Sequence, residues 1–296
     1  MSLSEWRKAS PFARTRVNAK AALRLAVRRL RGSAVRPVAK DVIVSFTAIP
    51  PRMPTVHLVV DSLLLQTVLP ERIVLYLSTA DFPDRAVLRK VEARVGARFS
   101  IRWLDTNLGS YRKLVHALEE FPGRTIITVD DDKIYAAGAI ESLLSTARRY
   151  PRTVVFRQGF SILPRDPETG RLPSIEGGPG YWHLPVGVGG ILYPPGSLGS
   201  DVTDETLFMR LAPHADDIWF KAMALLTGTP AVLARPAGGQ DHSLWFRWTE
   251  SLSYHNSTLH KWESQLAATF GHYGLVPGVD PARPSLAADS ALDEPG

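Results

Sequence analysis

The stretch Thr125-Ile126-Ile127-Thr128-Val129-Asp130-Asp131-Asp132 decides how this chain is read. Its first five residues are all β-branched, as suits a short buried strand. Three carboxylates follow without a spacer. Like charges packed so closely repel, and something positive has to offset the repulsion. A divalent cation does so with few residues. Side chains of one parity on an extended segment point the same way, so Asp130 and Asp132 are expected to face the metal and Asp131 the other side. Magnesium or manganese uses one or two carboxylates and completes its shell with water and substrate phosphates, so the same ion would grip a diphosphate. The competing reading is a solvated acidic turn that caps a helix over 136–147. Position directly behind an apolar strand favours the cation.

Upstream, the apolar run Asp41–Phe46 reads as a strand, 55–66 as a helix, 73–77 as a strand, 84–95 as a helix, 99–104 as a strand and 111–120 as a helix. Short buried strands alternating with helices of ten or so residues predict an α/β fold, a mostly parallel sheet flanked by helices. Ligands bind such sheets beyond the carboxyl ends of the strands. The loops beginning at Thr47, Asp105 and Asp130 are therefore the ones to watch. Downstream the pattern is less regular. A Gly/Pro-rich region spans 164–195, a helix is expected over 216–226, and a Trp-rich stretch lies near 245–262. This second half reads as an acceptor-side subdomain of one domain over 41–277, with a donor half at about 41–135 and an acceptor half at about 136–277. Residues 278–296, rich in Pro, Ala, Asp and Ser, read as a disordered tail.

Composition narrows the chemistry. The 296 residues include no cysteine, so disulfides and thiolate metal sites are excluded and any metal must be held by oxygen or histidine. The net charge of +6 is concentrated at the front: residues 1–40 carry eleven Lys/Arg against Glu5 alone, about +10, and the remainder is about −4. A mildly acidic body argues against a nucleic-acid partner. Within the leader, Ala21, Leu23, Leu25, Ala26 and Leu30 alternate with Arg24, Arg28, Arg29 and Arg31 as in a basic amphipathic helix, predicting peripheral contact with anionic lipid or a membrane-bound partner; a solvated helix or arm is the alternative. The leader is too short and too charged to span a bilayer and lacks the apolar stretch of a secretory signal, and no segment reaches roughly 20 apolar residues. The expected location is cytoplasmic, with membrane association through the leader.

Other constellations carry weaker signals. Asp216 and Asp217 stand at the start of the expected 216–226 helix. One of them would cap it, and the other would serve as general base toward an acceptor hydroxyl. Arg112 and Lys113 lie just inside a helix behind a Gly-Ser turn, where a cation reaches bound phosphate, although a charged solvent face explains Arg112 as well. Arg52, in Thr47–Arg52, would lie near base or phosphate, with a plain edge loop as the alternative. Gly187, Gly189 and Gly190 lack the pattern of a phosphate loop and would instead let the backbone approach a sugar. Trp182, with Tyr181 and His183, would stack on that sugar or sit in the core. His242 and His255 are candidate extra metal ligands.

The order VIVSFTAIPPR, SLLLQTVLPERIVLYLS, LGSYRKL, TIITVDDDKIY, VGVGGILYPP and ADDIWFKAMALL over residues 41–265 resembles bacterial glycosyltransferases of the GT-A type, related to the family 2 enzymes that build surface polysaccharides. The resemblance implies a GT-A (nucleotide-diphospho-sugar transferase) fold and a nucleoside-diphosphate-sugar donor, UDP- or GDP-linked. It also implies a glycan acceptor, an inverting reaction, Mn2+ or Mg2+ on Asp130 and Asp132, and a base in the Asp216/Asp217 pair. The donor-binding set expected with it is Thr47, Arg52, Asp105, Lys113 and Asp131, and the acceptor-binding set Trp182, Gly189 and Gly190. Lys133 departs from the pattern, standing where an apolar residue is expected. A sugar nucleotidyltransferase is the nearest alternative, although TAIPPR offers no glycine for its phosphate loop. A non-catalytic glycan-binding or scaffold protein is the other.

Overall fold

The computed structural model describes residues 11–31, 35–235, 237–244 and 261–281. His255, most of the Trp-rich stretch and the tail from 282 onward lie outside these residues. The strands, in chain order, are β1 (Val38–Thr47), β2 (Leu69–Ser78), β3 (Phe99–Leu104), β4 (Thr125–Thr128), β5 (Lys133–Ile134), β6 (Val154–Phe156), β7 (Gly159–Ser161), β8 (His183–Pro185), β9 (Ile191–Tyr193), β10 (Ala231–Leu233) and β11 (His242–Ser243). The helices are α1 (Pro11–Arg31), α2 (Met53–Leu64), α3 (Arg89–Glu92), α4 (Arg112–Glu120), α5 (Ala139–Arg149), α6 (Glu205–Leu211), α7 (Asp216–Leu226) and α8 (Lys261–His272).

Seven strands form one sheet in the order β10-β6-β9-β4-β1-β2-β3. All run parallel except β9, which lies antiparallel between β4 and β6. The two-residue period of a strand divides the core in two. Val42, Val44, Phe46, Ile73, Leu75, Ile127, Val155 and Leu192 point to the face covered by α1, α2 and α5. Ile43, Val74, Tyr76, Ile126, Val154, Phe156, Ile191 and Tyr193 point to the face covered by α4, α6, α7 and α8. Burying such side chains contributes about 1.5–3 kcal/mol each relative to exposure. Because β9 runs backwards, the glycine-rich turn before it meets the carboxyl end of β4, where the acidic triplet emerges.

Three elements differ from expectation. β1 starts earlier and carries a bulge at Asp41, whose positive φ of 65° is held by its amide donating to Glu71 Oε2 and by Arg124. The helix expected over 84–95 is a 3-10 turn, Arg85–Leu88, followed by the single turn of α3. Only Leu88 and Val91 of this segment are buried, too little apolar surface to hold a longer helix. The helix behind the triplet begins at Ala139 with Gly138 as its N-cap, so the triplet does not cap it.

Candidate active site

Asp130, Asp131 and Asp132 leave β4 as a turn rather than as extended chain. The parity that would place Asp130 with Asp132 is therefore lost. Asp131 and Asp132 both reach Arg52, whose Nη1 lies 2.5 Å from Asp131 Oδ1 and 3.4 Å from Asp132 Oδ2. Asp130 instead faces Lys113, with Nζ 3.1 Å from its Oδ1. Arg52 arrives from the loop after β1, where Pro50 and Pro51 shape a 3-10 turn, and the Ile49 amide also donates to Asp131 Oδ2 at 3.4 Å. The cation expected at a phosphate is thus held on the triplet itself. Burial raises Asp132 to about 7 against the pull of Arg52, and its Oδ1 is buried without a hydrogen-bond partner. Burial also raises Asp131, with Arg52 opposing.

The second acidic pair sits across Lys113. Asp216 and Asp217 occupy the first turn of α7, but its N-cap is Ala215 and neither carboxylate caps it. Lys113 Nζ lies 3.3 Å from Asp216 Oδ2, an ion pair without hydrogen-bond geometry. Burial works against the charge on Lys113, yet Asp130, Asp216 and Asp217 outweigh it and raise its pKa well above the usual lysine value. Asp217 accepts a 3.4 Å hydrogen bond from the Gly187 amide, and burial, helped by Asp216, pushes it up to about 8. That bond shows what the glycine turn does. A Cβ on Gly187 would stand 2.8 Å from Lys113 Nζ and 3.3 Å from Asp130 Oδ1, so a larger residue there would displace the ion pair. Gly189 instead packs on Gln158, and Gly190, with φ of 93°, turns the chain beside Thr128 into β9.

The remaining predicted residues are spread more widely. Thr47 Oγ1 donates to the Tyr76 carbonyl at 2.8 Å, tying off the end of β1. Asp105 is exposed just beyond β3. Arg112 is not on a solvent face: it is 1% exposed and pairs with Asp81 at 2.9 Å. Trp182 is buried in the core against Phe270, with ring centroids 6.3 Å apart, rather than on the crevice wall. Lys133 is half-buried and its charge lowers the pKa of Asp132. His242 pairs with Ile134 in the β5–β11 ribbon, and the next turn of that ribbon brings the Leu244 amide to the Asp132 carbonyl at 2.7 Å.

Several contributors escaped the sequence reading. Gly187 was grouped with its neighbours, and only spatial proximity separates it from them. Tyr135 accepts the Asp130 amide on its hydroxyl at 2.7 Å, fixing the backbone at the head of the triplet. Asp241 accepts from the Ala136 amide and pairs with Arg157 at 2.8 Å, anchoring the ribbon beside the site. Lys221, one turn beyond Asp217 on α7, is 2% exposed with no partner for its Nζ, and burial lowers it to about 7.

Among the described residues no group of three or more His, Cys, Asp or Glu forms a metal cage. Magnesium and manganese do not need one, since two carboxylates and substrate phosphates suffice. The unpartnered Oδ1 of Asp132 and the partly open Asp130, whose side chain is 22% exposed, fit that demand.

A mostly parallel α/β sheet thus gathers two clusters of carboxylates and the cations Arg52 and Lys113 beyond the carboxyl ends of its strands. Residues 42–208 match the family model "Glycosyl transferase family 2", more than half of the chain, and the chain belongs to that family. A solved structure supports the fold. A mannosyltransferase from Pyrobaculum calidifontis, PcManGT, in complex with GDP-Man and Mn2+ is 14% identical and superposes with a TM-score of 0.50 over 88% of this chain and 74% of its own. TarS 1–349 from S. aureus in complex with UDP is 14% identical, with a TM-score of 0.46 over 66% of this chain and 58% of its own. No curated protein matches. The chain is accordingly a glycosyltransferase with a GT-A fold.

Proposed function

We propose that this glycosyltransferase moves a sugar from a nucleoside diphosphate, UDP or GDP, to a hydroxyl of a glycan acceptor, with inversion at the sugar carbon. The observation that carries the proposal is the pairing of a triplet held by Arg52 with a second acidic pair across Lys113. Asp132 and Asp130 would hold a divalent ion, which supplies charge neutralisation on the departing diphosphate. Arg52 and Lys113 are the protein's own cations at the same place. When phosphate oxygens enter the crevice, each can exchange a carboxylate contact for one to phosphate.

Asp217 is assigned the proton-accepting role. A general base works best with a pKa near the operating pH, and Asp217 lies near 8, whereas Asp216 is occupied by Lys113. The Gly187 amide orients the Asp217 carboxylate. Inversion and the surface-glycan setting rest on the family resemblance. The ligand set follows the example of PcManGT, which is bound to GDP-Man and Mn2+.

The test is to incubate the chain with a panel of UDP- and GDP-sugars, with and without manganese, and to measure nucleoside diphosphate release. Metal-stimulated release from one donor is expected. Pyrophosphate formation from sugar phosphate and a nucleoside triphosphate would replace this reading with nucleotidyl transfer, and silence in both assays would point to a binding protein.

A further inference from the structure

The basic leader is not a free arm. α1 lies on the body of the protein with Ala21 and Leu25, 2% and 5% exposed, packed into the core beside α2. Arg28 donates to the Tyr135 carbonyl at 3.0 Å, and Arg29 pairs with Asp61 at 3.2 Å. These contacts fix which side of the helix faces outward.

That outer side is apolar. Leu23 is 66% exposed, Val27 37% and Leu30 86%, and the spacing of these residues puts them on one stripe, with exposed Ala19, Ala22 and Ala26 beside them. Helical spacing places the stripe opposite the docked Ala21 and Leu25, so α1 has two apolar faces and only one is covered. Exposed Lys20 and Arg24 border the stripe on one side. Arg29, still 65% exposed, borders it on the other. No described helix is long and apolar enough to cross a membrane.

We infer that the outer face of α1, with Leu23, Val27 and Leu30 inserted and Lys20, Arg24 and Arg29 at headgroup level, docks the protein on an anionic lipid surface. Charge decides the occupant. Residues 1–40 carry about +10 and the rest of the chain about −4, so an anionic plane attracts this end and turns the body away from it. A second copy of the chain meeting the same face would bring the bordering cations together and be repelled. The stripe runs over residues 19–30, about three turns of the helix, an apolar face bordered by cations as in an interfacial helix lying in the plane of a bilayer. The docked face keeps α1 folded in solution, so lipid binding need not pay for helix formation.

The experiment is vesicle co-sedimentation of the full chain, with phosphatidylcholine alone and with phosphatidylcholine containing phosphatidylglycerol. The chain should sediment with the anionic vesicles, leave the neutral ones in solution, and be released by added salt. Leu23→Ser, Val27→Ser and Leu30→Ser combined should weaken anionic-vesicle binding at least about tenfold. Because the three side chains face solvent, the thermal melting temperature should stay unchanged, which separates lost docking from lost fold. Sedimentation of the triple variant like the parent, equal binding to neutral vesicles, or no vesicle binding at all would overturn the inference. So would a dimer in light scattering that the triple variant abolishes, since the face would then belong to a second copy.

Discussion

The two acidic clusters stand on either side of Lys113 and are neutralised by different cations. The triplet behind β4 is gripped by Arg52 yet keeps a buried carboxylate oxygen with no partner. The pair on α7 faces a lysine: Asp216 is ion-paired with Lys113 without a hydrogen bond, and burial pushes Asp217, still partly exposed, toward the protonated state. Each cluster holds one carboxyl that burial pushes toward neutral pKa, Asp132 to about 7 and Asp217 to about 8, and one buried oxygen without a hydrogen-bond partner. What differs is the cation, the forked Arg52 on Asp131 and Asp132 against the single ammonium of Lys113 on Asp216. Lys113 touches both clusters, pairing with Asp130 and Asp216, and so ties one to the other.

The largest expected effect is on the triplet. Asp132→Ala should lower nucleoside diphosphate release by on the order of 10³-fold and weaken manganese binding measured by calorimetry. If Asp132→Ala and Asp130→Ala both keep metal-dependent turnover, the contrast between the clusters is broken. Lys113→Met comes next. It leaves Asp130 and Asp216 without their shared cation, and should cost about 3 kcal/mol of folding stability in denaturant titration. A loss confined to turnover would mean that the lysine serves substrate rather than fold.

Asp217→Asn should cost about 10²-fold in turnover, with nucleotide binding retained. For the parent enzyme, kcat/KM should rise with pH through a limb near 8, as the raised Asp217 carboxyl loses its proton, and that limb should vanish in the variant. A limb that survives there would move the base to Asp216.

The smallest effect sharpens the picture of α7. Lys221 is buried in an apolar cavity lined by Val154, Pro185, Tyr193, Phe220 and Ala231, with Asp217 at its edge. Its folded pKa lies below the ordinary value of 10.5, near 7, so charging it opposes folding. The penalty develops as pH falls below the ordinary lysine value and is complete once pH has dropped through about 7. Lys221→Met should therefore stabilise by about 1–3 kcal/mol at neutral pH and less at alkaline pH, read from melting curves across that range. An unchanged melting temperature would show that the amine has a partner in solution.

Much of the donor side of the sheet could be read before it was seen. The cores of β1 and β2, and β3 and β4, are runs of β-branched and apolar residues closed by turn signals, and β3 falls on the expected 99–104. The other strands of the main sheet could not. Val154–Phe156, Ile191–Tyr193 and Ala231–Leu233 have three residues each, too few to display a period, and the reversal of β9 leaves no mark in sequence. The site divides the same way. Carboxylates directly after a strand or at a helix start are conspicuous, so both acidic clusters stood out. Arg52 and Lys113 were legible as cations near the site but not as partners of the carboxylates, since Arg52 and Asp131 are 79 residues apart, and Lys221 looks like an ordinary surface cation until packing buries it. Parity failed at the triplet because β4 ends at Thr128, two residues before the first aspartate.

Tyr135 sits on both sides of this divide. Its hydroxyl holds the backbone of Asp130, its amide donates to Ser62 Oγ on α2, and its carbonyl accepts Arg28 from α1. One residue is thus the common bracket of leader and triplet, touching the first aspartate through its hydroxyl and the leader through its carbonyl. Mechanically, the basic helix is a part of the active site's frame.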